Sequence, residues 1–205
     1  IEPHPWCPGT WRSPNDPPLL VEKVKRGEAY AQDPSSQLVS HLAASLAPNG
    51  GRFVDLCAAP GGKSVLAASL VPWDLMVAAD VRLSRVRLTR STLERFDGHP
   101  VVAADALQPP FSDSWDVVLI DAPCSGTGTL RRHPEIKWKL RPEALPELAS
   151  RQRAMLTAGL KLVASGGVLL ASEHDTLVNL AQGCSYTYTP KARYSHTADD
   201  GDMQQ

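Results

Sequence analysis

From residue 36 onward, short apolar runs alternate with segments of helical spacing, and this alternation restricts the fold more than any other feature. The runs are Phe53–Leu56, Leu75–Ala79, Val101–Ala104, Val117–Ile120 and Val168–Ala171. Leu38, Val39, Leu42, Ala43 and Leu46 recur at helical spacing, so 36–46 is expected to form a helix that Pro48-Asn49-Gly50-Gly51 stops. Ser64–Leu70, Leu83–Phe96 and Pro142–Ala164 are the other expected helices. Parallel strands need a crossover between them, usually a helix, so the pattern predicts an α/β fold with a mostly parallel, doubly wound sheet. The first stretch differs. Pro3, Pro5, Pro8, Pro14, Pro17, Pro18 and Pro34 fix backbone angles and remove N–H donors, so 1–35 reads as an irregular arm with one short strand. The domain is expected over 36–205. Ile1 in place of an initiator Met suggests that the arm ends a missing upstream region.

Composition narrows the class. With 42% hydrophobic residues, and 21 Lys+Arg against 22 Asp+Glu, the chain is neither disordered nor fibrous. No apolar run approaches the roughly 20 residues of a membrane span, so no membrane association is expected. The cysteines, at 7, 57, 124 and 184, form no CxxC pair and no disulfide framework, which suits a reducing cytoplasm and leaves no metal site. A monomer is expected. The net charge of −1 carries no global nucleic-acid signature, so any basic surface must be local.

The aspartates are placed with a pattern. Asp55 lies inside the first run, while Asp80, Asp105 and Asp121 each close one. Ligands of open parallel sheets sit beyond the carboxyl ends of the strands, so three carboxylates are expected to line one crevice. Each one alone would also suit a helix or turn cap.

After the first run comes Cys57-Ala58-Ala59-Pro60-Gly61-Gly62-Lys63-Ser64. Its small residues let backbone N–H groups approach a ligand at the start of the next helix. A P-loop would need Gly where Cys57 stands, and the GxGxxG dinucleotide fingerprint is absent, so an NTPase or a nicotinamide enzyme is disfavoured. Asp80, about 20 residues further on, suits a ribose with both hydroxyls free, and Asp105 the adenine side. Together they describe a nucleoside cofactor ending in an amino acid, and S-adenosyl-L-methionine fits.

Asp121-Ala122-Pro123-Cys124-Ser125-Gly126-Thr127-Gly128 follows the fourth run and places a thiol over the crevice. A free Cys is commonly a small buried hydrophobe, but Gly126 and Gly128 mark a tight loop. The next stretch, 131–141, holds Arg131, Arg132, Lys137, Lys139, Arg141 and Trp138, which suits phosphate contacts with aromatic stacking. A solvated charged face is the plainer reading, and it is preferred for Arg82, Arg87, Arg90 and Arg95; Arg85 is set apart as a support for the cofactor.

DLCAAPGGKS at 55–64 and DAPCSGTGTLRRHPEIKW at 121–138 resemble motifs of the Sun/Fmu (RsmB-like) family of RNA cytosine-5 methyltransferases. QDPSSQLV at 32–39 and AADVRLSRV at 78–86 match as well, and the resemblance covers about residues 25–172. It implies a Rossmann-like methyltransferase fold that binds S-adenosyl-L-methionine and acts on ribosomal or transfer RNA. Carried over by position, Cys57, Ala58, Ala59, Pro60, Gly61, Gly62 and Lys63 form the cofactor loop. Asp80 takes the ribose, Asp105 the adenine side, and Asp121 lies between the methionine end and the target base. Arg131, Arg132, Lys137 and Trp138 would contact RNA.

Carbon 5 of cytosine is a poor nucleophile until a thiolate adds at carbon 6, so this chemistry needs a cysteine. In the family that cysteine belongs to a Thr-Cys-Ser motif, and here Glu173-His174-Asp175 stands in its place. Three explanations stand. Cys124 attacks instead, with Asp121 orienting the base; or the chain is a catalytically silent relative that binds RNA or assists assembly; or the polar C-terminus is an altered one. Cys184 is a remoter thiol, and Glu173-His174-Asp175 reads as a helix cap and its neighbours rather than a metal site.

Overall fold

The computed structural model describes residues 2–3, 11–12, 18–96, 98–112, 114–130, 133–172 and 189–190. Two short strands, β1 (Glu2–Pro3) and β2 (Trp11–Arg12), pair antiparallel. Helices α1 (Pro18–Arg26) and α2 (Pro34–Leu46) follow. Then come β3 (Arg52–Asp55), α3 (Gly62–Leu70), β4 (Leu75–Asp80), α4 (Leu83–Leu93) and β5 (Val101–Ala103). Next are β6 (Trp115–Asp121), α5 (Ile136–Lys139), α6 (Ala144–Leu160), β7 (Val163–Ser172) and β8 (Thr189–Pro190). The main sheet has the order β5-β4-β3-β6-β7-β8. All neighbours from β5 to β7 run parallel, and β8 adds antiparallel at the edge.

Both faces of the sheet are covered, which is why its strands are continuously apolar. Along β6, Val117 and Leu119 pack with Ala43 of α2 and Ala67 of α3, whereas Val118 and Ile120 pack with Met155 of α6. The order reverses between β3 and β6, the first and fourth parallel strands. In such sheets the ligand crevice opens at that reversal, beyond the carboxyl ends of the strands.

Two expectations are corrected. The arm holds a helix, α1, whose Pro18 sits at the first helical position, where its missing N–H costs nothing. Its Val24 carbonyl accepts from Arg95 at the end of α4, which ties the helix to the domain. The helix expected to run to Ala164 ends at Leu160, and β7 begins at Val163 rather than Val168. Here β7 bulges: Trp115 pairs with Val163 and Val117 with Val168, so 164–167 lie opposite Asp116 alone. That bulge breaks the period-two pattern by which a strand is recognised.

Candidate functional site

The strands present their carboxylates at one edge. Asp55, Asp80 and Asp121 are the last residues of β3, β4 and β6, and Asp105 lies two residues beyond β5. Asp80, Asp105 and Asp121 line one cleft of about 270 Å3 together with Cys57, Arg85 and Cys124. A second cavity, of about 180 Å3, lies between the 58–63 loop and the start of α2, and Cys57 and Asp121 line both.

The loop between them is built by close approach. A Cβ on Gly62 would lie 2.5 Å from Cε1 of Tyr30, so only glycine lets that ring cover the start of α3. The Ala58 N–H donates to the Ala79 carbonyl at 2.9 Å, and Ser40 Oγ donates to the Lys63 carbonyl at 3.0 Å. Arg85 bridges the wall: its guanidinium lies 3.2 Å from Asp80 Oδ2 and donates to the Ala59 carbonyl at 3.0 Å. Asp105 caps its own turn, accepting from the Leu107 N–H at 2.9 Å.

Asp121 stands at the centre. Lys63 Nζ donates to its Oδ2 at 2.6 Å, and Ser172 Oγ, from the end of β7, donates to its Oδ1 at 2.8 Å. Both carboxylate oxygens are thereby held, and the group faces both cavities in one orientation. Beneath it, fully buried Asp55 accepts from Ser64 Oγ at 2.7 Å and from the Cys57 N–H at 3.2 Å. Burial raises its carboxyl from 3.8 to about 7; Asp121 pushes the same way, while Ser64 and Lys63 oppose. Burial and three carboxylates, Asp55, Asp121 and Asp80, push the Cys57 thiol up to about 12. Cys57 is thereby held as a neutral thiol on the wall of both cavities.

The cleft sets three carboxylates, Asp80, Asp105 and Asp121, beside three arginines, Arg82, Arg85 and Arg151, so its lining offers hydrogen-bond acceptors for hydroxyl and amino groups without an excess of negative charge. Small residues at 58–62 leave space along the loop for the amino-acid end of a nucleoside cofactor, so the residues fit S-adenosyl-L-methionine.

Cys57, Ala58, Ala59, Pro60, Gly62, Lys63, Asp80, Arg85, Asp105, Asp121 and Cys124 all line one or both cavities. Gly61 lies in the loop without lining either. Lys137 and Trp138 are away from both: Trp138 is 81% exposed on α5, with Lys137 Nζ 5.0 Å from its ring centroid. Arg131, Arg132, Glu173, His174, Asp175 and Cys184 lie outside the described residues. Among the described residues no group of His, Cys, Asp and Glu is arranged to hold a metal ion, and no helix is long and apolar enough to cross a membrane.

Several site residues had gone unread, among them Arg82, which lines the larger cleft although a solvated face was expected for it. Ser172 carries no local signal, because a serine ending a strand is ordinary. Arg151, on α6, lines the larger cleft. Gln152 is legible in retrospect as the one amide in the buried stripe Ala149, Gln152, Met155, Gly159 of α6.

Sheet order and carboxylate-lined cleft together define a Rossmann-like domain of the methyltransferase class. The family model described as 16S rRNA methyltransferase RsmB/F matches residues 43–179, and the chain belongs to that family. Ribosomal RNA small subunit methyltransferase B of Photorhabdus laumondii is 33% identical over 174 residues, covering 82% of this chain and 40% of its own length. A Mycobacterium tuberculosis protein, named as a methyltransferase with no substrate stated, is 40% identical over 164 residues, covering 77% of this chain and 35% of its own. The chain thus spans well under half the length of these curated relatives. Among solved structures, PH0851 aligns at a TM-score of 0.69 with 32% identity, over 75% of this chain and 36% of that one. NSun6 from Pyrococcus horikoshii, solved with SFG, aligns at 0.62 with 26% identity, over 74% and 39%.

Proposed function

We propose that this chain is the methyl-transfer unit of an RNA cytosine-5 methyltransferase that uses S-adenosyl-L-methionine and works on ribosomal RNA in the cytoplasm. The observation that carries this reading is the shared cleft, where Asp80, Asp105, Asp121 and Cys124 meet at the point of strand-order reversal. Names of relatives support the RNA substrate, and NSun6 with SFG supports a ligand in the equivalent fold. The basic stretch with exposed Trp138 supports a surface for phosphates and an unstacked base.

The cofactor supplies an electrophilic methyl group. Asp121, fixed by Lys63 and Ser172, accepts from the amino edge of a cytosine turned out of its stack. The Cys124 thiolate then adds to carbon 6, which makes carbon 5 nucleophilic toward the methyl group. Removal of the carbon 5 proton by a base and cleavage of the sulfur–carbon bond restore the ring and the thiolate.

A second reading rests on Glu173-His174-Asp175, which stands where the family's Thr-Cys-Ser is expected: a silent relative that binds RNA without methylating it. Covalent trapping separates the two. With fluorine at carbon 5 elimination cannot finish, so an attacking thiol stays bonded to the RNA. An adduct that forms with cofactor and disappears in Cys124→Ala establishes the enzyme reading. An adduct that survives moves the nucleophile to another cysteine, and no adduct despite measured cofactor binding leaves the silent relative.

A further inference from the structure

Gln152 sits where an amide is costly. It is 1% exposed, on the stripe by which α6 packs against the sheet, between Ala149 and Met155. Burying an amide without partners is costly, and an apolar residue would fill the same space. Its side chain is engaged: Nε2 donates to the Pro123 carbonyl at 3.0 Å.

That carbonyl belongs to the peptide joining Pro123 to Cys124. Proline's ring fixes its own φ, so rotation about its ψ turns this peptide plane and with it the backbone from which Cys124 projects. A hydrogen bond from a buried, packed side chain holds that plane. The same helix supplies Arg151 and Met155 to the cleft that Cys124 lines, so the brace and the wall move together. At the other end of the loop, Asp121 is held by Lys63 and Ser172. The loop is braced from three elements: α3, β7 and α6.

We propose that Gln152 is a positioning residue for Cys124, holding the Pro123–Cys124 peptide so that the thiol projects into the cleft. It builds on the reading of Cys124 as the reacting thiol, but its primary test uses neither RNA nor cofactor. Alkylation by iodoacetamide, mapped peptide by peptide, reports Cys124 and Cys57 in the same sample. In Gln152→Met the released loop exposes Cys124, which alkylates at least threefold faster than in wild type while Cys57 stays within about a factor of two. Acceleration of both cysteines together means that Gln152 only supports packing and overturns the proposal. Unchanged rates at both overturn it as well.

Gln152→Glu serves where the methionine variant does not fold. A carboxylic acid donates to the carbonyl and a carboxylate repels it. The Cys124 rate relative to wild type at the same pH should therefore be near one in acid and rise with pH; a ratio independent of pH overturns the proposal. In the trapping reaction, Gln152→Met should slow adduct formation about tenfold with cofactor affinity unchanged. Adduct formation at the wild-type rate overturns it. Absence of any adduct in wild type, with the alkylation pattern as expected, would remove the methyltransferase reading and leave the positioning role standing.

Discussion

Asp55 illustrates how one residue couples the site to the stability of the chain. Its carboxyl titrates near 7 in the fold against 3.8 ordinarily, with burial the main cause. The folded state therefore holds a proton that the unfolded state has lost between about pH 4 and 7. Stability from this group is complete below that window and is lost as pH rises through it. Asparagine imitates the protonated form, with Oδ1 accepting from the Cys57 N–H and Nδ2 donating to Ser64 Oγ. Asp55→Asn should thus match wild type in Tm near pH 4 and exceed it increasingly toward pH 8. A Tm difference constant across that range would mean that Asp55 does not titrate there. The position of Asp55 inside an apolar run was legible, but its elevated pKa was not, because burial is a property of everything packed around it.

At the scale of elements, β7 shows what a local pattern conceals. Gly166 has φ +82°, and a Cβ on Gly167 would lie 2.8 Å from the Trp115 carbonyl oxygen and 2.9 Å from that of Asp116. Those oxygens are backbone and cannot rotate away. Gly167→Ala should therefore destabilise by about 1–3 kcal/mol, the usual range for overpacking, read as a lower urea midpoint with unchanged slope. A loss below a few tenths of a kcal/mol would show that the bulge relaxes freely. The apolar run Val168–Ala171 by itself placed the strand at Val168. In the fold the two glycines form the bulge of a strand that has already begun at Val163. Helix α1 was missed for a related reason: prolines at 17 and 18 look like breakers, yet Pro18 occupies a helix start.

For the whole molecule, a ligand that binds only the folded state adds stability in proportion to its occupancy. At about 100 times its Kd the cofactor should contribute roughly 2.7 kcal/mol, which for a chain of this size is a rise in Tm of about 5–10 °C. Asp80→Asn, at the same cofactor concentration, should lose most of that rise. Equal shifts in both proteins would place the ribose elsewhere.

By itself the sequence determined the succession of strands and helices, the carboxylates at the strand ends and the two loops that carry the family's motifs. Each of these is encoded within a few residues by periodicity, by glycine and proline, or by side-chain type. Only the tertiary structure decided that Asp121 is gripped by Lys63 and Ser172, and that Gln152 braces Pro123 from a helix 29 residues away. Periodicity tells an element which face to bury. Which distant residue meets that face depends on strand order and packing, and these are settled only when the sheet closes its core.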